Sequence, residues 1–181
     1  MKKLLLSIIC ISALTGCSTF TPPRYSTDAD NTVALRKIEL GDIAVGNFAD
    51  PAKISNQCRG AGPIAPPDKV TFAEYIRQAF ADELKVAGLY NDGSTPRVTL
   101  TGTLNSLVFS SSKGLTGGEW NIDLTLTSSN GATLNMVEAY EFESGFIADT
   151  ACKQTAEAYM GAVQNLIGNI VKSDKFVELL K

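Results

Sequence analysis

The chain has 181 residues, 44% of them hydrophobic and 19% charged, with a formal net charge of −3 and no histidine. That balance excludes a basic nucleic-acid binder, since no basic run and no aromatic–basic interleaving is present. The lack of histidine removes the usual serine triad and the common zinc sites.

Lys2 and Lys3 precede "LLLSIICISAL", the charged and apolar regions of a secretory signal. The apolar run falls short of the roughly 20 residues that a membrane-spanning helix needs. It stops at Leu14, Thr15, Gly16 and Cys17, a stretch that resembles the lipobox of bacterial lipoproteins. The alternative is an ordinary signal peptide followed by a chance cysteine. The resemblance implies cleavage before Cys17 and acylation of that cysteine, and two or more acyl chains anchor a protein stably in a bilayer. Ser18, where an Asp would favour the inner membrane, implies the outer membrane. Loss of residues 1–16 takes Lys2 and Lys3 with it, leaving 14 basic against 19 acidic residues and a formal net charge of −5.

Residues 18–31, with Pro22 and Pro23 and no apolar period, are expected to form a flexible tether, so that residues 17–31 link the bilayer to one periplasmic domain over residues 32–181. Fourteen residues reach about 46 Å when extended and about 20 Å as a coil. In "TVALRKIELGDIAV", Val33 and Leu35, then Ile38 and Leu40, alternate on either side of a phase shift. This predicts one strand, or two short ones with a bulge near Arg36. Residues 46–70 carry Pro51, Pro63, Pro66 and Pro67 and no period, which predicts a long loop, either functional or mobile.

"TFAEYIRQAFADELKVAGLY" carries strong helix signals. Thr71 and Glu74 match a capping box, Phe72, Tyr75, Ile76, Ala79, Phe80, Leu84 and Ala87 share a face, and Gly88 is a stop. Three strands follow. "RVTLTGTL" alternates Val98, Leu100 and Leu104 against Thr99, Thr101 and Thr103, and its phase changes near Ser106. "WNIDLTLT" alternates Trp120, Ile122, Leu124 and Leu126 against Asn121, Asp123, Thr125 and Thr127. "TLNMVEAYEFE" keeps Leu134, Met136, Tyr140 and Phe142 on one face, with Glu138 the exception. "SSNG" at 128–131 predicts a tight hairpin turn, and residues 110–118 a longer glycine-rich hairpin loop. Asp149 is expected to cap a helix with Cys152, Ala156, Tyr159, Val163, Leu166 and Ile170 inward, and Ser173 a short last helix.

A sheet with one apolar face is covered on a single side. The expected fold is therefore α+β, a two-layer sandwich with a mainly antiparallel sheet, helices on one face and the order β-α-β-β-β-α-α. Two cysteines, Cys58 and Cys152, remain in the mature domain, and in an oxidising compartment they are expected to pair. Two buried free thiols are the alternative.

This order behind a lipobox is similar to the YajG-like outer-membrane lipoproteins. The matching parts are the helix "FAEYIRQAFADELKVAGL", the meander behind "RVTLTGTL" and "WNIDLTLT", and the closing helices ending "FVELLK". More loosely it resembles the fold group of the LpoB, CsgG and TolB N-terminal domains. The resemblance implies an accessory envelope role by docking to partners, without catalysis.

No metal site, cofactor site or catalytic set is expected. "GLTGG" lacks the ending of a phosphate loop, and Glu141 and Glu143 are expected to be solvated charge on the polar face. Candidate partner-binding residues are Thr101, Thr103, Asp123 and Thr125 on the outward face, with Lys113 at its end. Trp120 heads an apolar strand face; it is expected in the core, with an interface anchor as the alternative. The expected partners are the membrane, through the acylated N-terminus, an envelope protein, and a second copy of the chain. An auxiliary subunit of a lipid or solute transport system is the alternative function, which would need an apolar groove between sheet and helices. A secretion-pore subunit would need long lipid-facing hairpins.

Overall fold

The computed structural model describes residues 18–91, 93, 95–114 and 116–181. The leader and Cys17, with the expected signal and lipidation site, lie outside the described residues. The helix signals at residue 71 organise the fold as expected. Thr71 Oγ1 accepts the Glu74 amide at 3.2 Å, the helix α2 spans Phe72–Ala87, and Gly88 closes it in the left-handed conformation at φ 79°. The side chain of Glu74 turns to Arg77 at 2.6 Å instead of reaching back to the cap.

Four strands make the main sheet: β1 (Ile43–Ala49), β4 (Val98–Lys113), β5 (Gly117–Ser128) and β6 (Thr133–Glu143), in the order β1-β4-β5-β6. β1 runs parallel to β4, with α2 as the crossover, and the other pairs are antiparallel. Helices α3 (Ala148–Val171) and α4 (Asp174–Leu179) join α2 on the apolar face. The expected order is thus the frame of the molecule. The phase change near Ser106 is a bulge in β4, where Leu104 faces Leu124 and Ser106 already faces Asp123. The space between sheet and helices is filled by aromatic rings: Trp120 packs at a tilt against Tyr159 with centroids 4.8 Å apart, and Phe72 meets Tyr159 edge-on at 5.3 Å. Glu138, the polar exception on the inward side of β6, is buried and accepts the Asn169 amide at 2.6 Å.

Four local expectations are corrected. The strand expected at 33–40 is a helix, α1 (Ala29–Arg36), because Asp28 accepts the amides of Asp30 at 2.9 Å and Asn31 at 3.0 Å and so starts a helical turn. Its buried side is Asn31, Thr32 and Leu35, while Val33 is exposed, and the strand begins only at Ile43. Second, the flexible tether is a fixed segment. Phe20 is buried and donates its amide to the Pro63 carbonyl at 2.9 Å, and Tyr25 donates to buried Glu83 at 2.6 Å. Third, the long loop at 46–70 contains the end of β1 and a small hairpin, β2 (Gln57–Cys58) with β3 (Gly62–Pro63). The longer hairpin loop at 110–118 shrinks likewise, since β4 runs on to Lys113 and β5 begins at Gly117. Fourth, Asp149 lies in the first turn of α3 and does not cap it. Ile147 holds the N-cap position without a side-chain bond. Ser173 does cap α4, accepting the Lys175 amide at 3.3 Å.

Candidate functional site

Among the described residues the helices lie on one side of the main sheet, α1 against α2 and α3, and the other side is left open. Strand alternation decides which side chains it carries. Thr101 and Thr103 of β4 are exposed there, opposite Thr127 and Thr125 of β5, and Thr125 in turn faces Asn135 of β6. The β4 bulge adds an extra residue, Asn105, and aims it outward. Its amide donates to Asp123 Oδ1 and to Thr125 Oγ1, both at 2.8 Å. From the other side the Asn135 amide donates to the same Asp123 oxygen at 2.7 Å and to Thr125 Oγ1 at 3.1 Å. Two asparagines thus clamp one carboxylate and one hydroxyl into a rung that crosses three strands. Beside this rung lie Val108, Val137 and Ala139, all exposed, so the face has a small apolar area within a polar frame.

Four of the predicted side chains, Thr101, Thr103, Asp123 and Thr125, are brought together on this face. Lys113 stands at its far end between Glu119 at 2.7 Å and Glu141 at 2.6 Å. Its hydrogen bond to Glu119, then that to Glu141, raises the ammonium pKa above its ordinary value, and the same Lys113 bond holds Glu119 below the usual carboxylate range. Sequence reasoning missed Asn105, Asn135 and Val137. Asn135 follows from counting back across the hairpin turn to Thr125, whereas Asn105 needs the bulge to be located to the residue.

Trp120 is not a member of the site. It lies on the inward face, is fully buried, and donates its indole N–H to the Thr155 carbonyl at 2.8 Å. The expected disulfide is present: Cys58 and Cys152 are bonded with their Cα atoms 5.8 Å apart, which ties the small hairpin to α3. Neither sulfur is therefore a free thiol. Among the described residues no three His, Cys, Asp or Glu side chains gather as a metal set. The strongly raised tyrosines, Tyr25, Tyr75 and Tyr159, owe their shifts first to burial, and Tyr25 also to its bond with Glu83. They hold the N-terminal segment and the helices in place: Tyr75 donates to the Pro23 carbonyl at 2.8 Å.

The fold and its open face define an α+β two-layer sandwich with an uncovered sheet surface. The chain is similar in structure to the Xanthomonas campestris protein XCC0632, of the family called DUF330, with a TM-score of 0.53 and 10% identity over 85% of this chain and 92% of that one. A Caulobacter crescentus CB15 protein, named as a candidate lipoprotein, aligns with a TM-score of 0.44 and 15% identity over 84% of this chain and 93% of that one. At such identity the first likeness establishes a shared fold. No family profile and no curated protein sequence matches the chain.

Proposed function

We propose that this protein is an outer-membrane lipoprotein, held by acylated Cys17, whose domain is a non-catalytic docking module of a larger envelope assembly. The observation that carries this reading is the uncovered sheet face, where an ordered Asn105–Asp123–Thr125–Asn135 rung borders exposed Val108 and Val137. Side chains already fixed by one another lose little freedom on binding, and an apolar centre within a polar frame is the common anatomy of protein interfaces. The lipobox and the resemblance to YajG-like lipoproteins support the location. On the same face Asp123, Glu119, Glu141 and Glu143 outnumber Lys113, which pairs with two of them, and this balance favours a partner with a basic surface. A transport subunit with a groove between sheet and helices is less well supported, because Trp120, Tyr159 and Phe72 occupy that space. A pore is less well supported too, because the outward residues of β4 include Thr99, Thr101, Thr103 and Asn105.

The test is photo-crosslinking in cells, with a photoreactive residue at Thr103, Thr125 or Asn135 and, as control, at exposed Lys85 on α2. Adducts of one size from the three sheet positions, absent at Lys85, are expected, and the Cys17→Ser variant should leave the membrane fraction and lose them. Adducts from Lys85 alone would refute the docking face. Unchanged membrane attachment of Cys17→Ser would refute the lipid anchor.

A further inference from the structure

Phe146 and Ile147 are each 72% exposed, more than any other large apolar side chain among the described residues. They adjoin each other between β6 and α3, and the backbone around them is firmly held. Arg59 donates to the Phe146 carbonyl at 2.9 Å and to Ser111 Oγ at 2.8 Å, Ser144 Oγ donates to the Ser111 carbonyl at 2.6 Å, and the Gly145 amide donates to Gln154 at 2.7 Å. A loop so fixed could tuck two apolar residues inward, yet it holds them out. Ile147 also takes the N-cap position of α3, where a hydroxyl or carboxylate residue would ordinarily bond the first-turn amides.

The chain enters the domain at this same end. The Ser18 carbonyl lies where a side chain on Gly62 would have to go, and Gly62 pairs with Cys58, which is bonded to Cys152. Cys152 is about 7.5 Å of helix from Ile147. Thr19 and Thr21 lie beside Lys153 and Glu157 of α3. A residue acylated at position 17 is one step from Ser18, with no slack between. The end opposite, with the 129–132 turn and α4, is separated from it by the length of α3, about 36 Å for 24 residues.

We infer that Phe146 and Ile147 form a second membrane contact, seated in the headgroup–acyl boundary of the leaflet that holds the acyl chains of Cys17. The inference rests on the lipid-anchored reading above and adds to it an orientation. Two adjacent apolar side chains on a rigid tip suit the interface of a phospholipid bilayer, where burial of apolar area drives shallow insertion. The charges around the tip are mixed, Arg59, Lys113 and Lys153 against Glu141, Glu143 and Asp149, so the contact does not depend on anionic lipid.

The buried Trp120 is the only native indole, so an added one reports its own surroundings. The acylated mature chain, carrying Phe146→Trp, Ile147→Trp or, on α4 at the far end, Val177→Trp, is reconstituted into phosphatidylcholine vesicles with and without brominated acyl chains. Emission from both tip indoles should lie to the blue in either vesicle and fall where the acyl chains are brominated, while Val177→Trp keeps its intensity. Tip indoles unquenched on protein that floats with the vesicles overturn the second contact and leave the anchor standing. Quenching at Val177 equal to that at the tip overturns the orientation. Protein that stays in the aqueous fraction overturns the anchored reading itself, and the tip contact with it.

Discussion

Glu83 fastens the stretch from Tyr25 to Thr32 to the body of the domain. It is fully buried on α2, and one carboxylate oxygen accepts the Tyr25 hydroxyl at 2.6 Å and the Asp28 amide at 2.7 Å, while the other accepts Thr32 Oγ1 at 3.3 Å. The Glu83→Ala variant removes all three bonds and strands two of the donors beside a cavity. With roughly 1.5–3 kcal/mol for each of the two short bonds to an ionisable acceptor, the loss is about 3–6 kcal/mol. Glu83→Gln keeps the shape, because the amide oxygen can accept from Tyr25 and Asp28 and the NH₂ can donate to Thr32. It gives up only the stronger carboxyl acceptor, about 1–2 kcal/mol. The N-terminal segment lies at the margin of the core, so the weakened state should open locally before the domain unfolds. Hydrogen exchange by mass spectrometry reads this directly. In Glu83→Ala, protection of the helical amides in Thr32–Arg36 should drop by about 100-fold or more, and in Glu83→Gln by about tenfold, at 1.4 kcal/mol per decade. Amides in Thr32–Arg36 that keep their protection in Glu83→Ala, with α2 intact by circular dichroism, would refute the claim that this carboxylate pins the segment.

Two further outcomes follow from the core. Replacing Cys58 and Cys152 by serine frees a closed loop with a sequence separation of 94. The chain-entropy model assigns that loop about 4–5 kcal/mol, or a fall in melting temperature of about 10–15 °C for a domain of this size, and a calorimetric melt within a degree or two of the parent would contradict it. Trp120→Ala should cost about 3–5 kcal/mol in urea unfolding, as a buried aromatic does, whereas a surface anchor would leave the isolated protein's stability within about 0.5 kcal/mol of the parent.

What the residue pattern revealed, and what it hid, divides along the range of the interactions involved. The strands from Val98 to Glu143 were legible because alternation with period 2 is a local signal, and even the bulge announced itself as a phase slip near Ser106. Thr71 and Gly88 marked the ends of α2 by chemistry within one turn. Helix α1 was hidden because its packing is polar and distant: Asn31 donates to the Gln164 carbonyl at 2.9 Å and Thr32 to Glu83, and Leu35 is its one large buried apolar side chain. No apolar period can reveal such a helix, and Val33 with Leu35 imitated a strand. The β2–β3 hairpin has two residues per strand and is fixed by Arg59 and by the bond from Cys58 to Cys152, contacts 52 to 94 residues away. On the open face, parity placed Thr101, Thr103, Asp123 and Thr125 together, but the clamp that orders Asp123 and Thr125 comes from two other strands, through a bulge and a register that alternation alone does not set.

The pinned segment changes how the proposed docking face meets its partners. With a free tether of 14 residues, the domain would sample a coil radius of about 20 Å above the bilayer in any orientation, and the sheet would face every direction. With Phe20, Tyr25 and Asp28 fastened to the body, one end of the domain is set against the membrane under the anchored reading, and the strands lead away from it. On that reading the reach away from the bilayer is the length of α3, about 36 Å, supplied by rigid structure in place of chain flexibility. An oriented face loses less rotational freedom on association than a tumbling one, so a modest polar surface with a small apolar centre can bind usefully there. On this account the backbone pairing of Phe20 with Pro63 and Ala65 orients the sheet at the anchored end, and Glu83, which holds Tyr25 and Asp28, fixes the chain that follows.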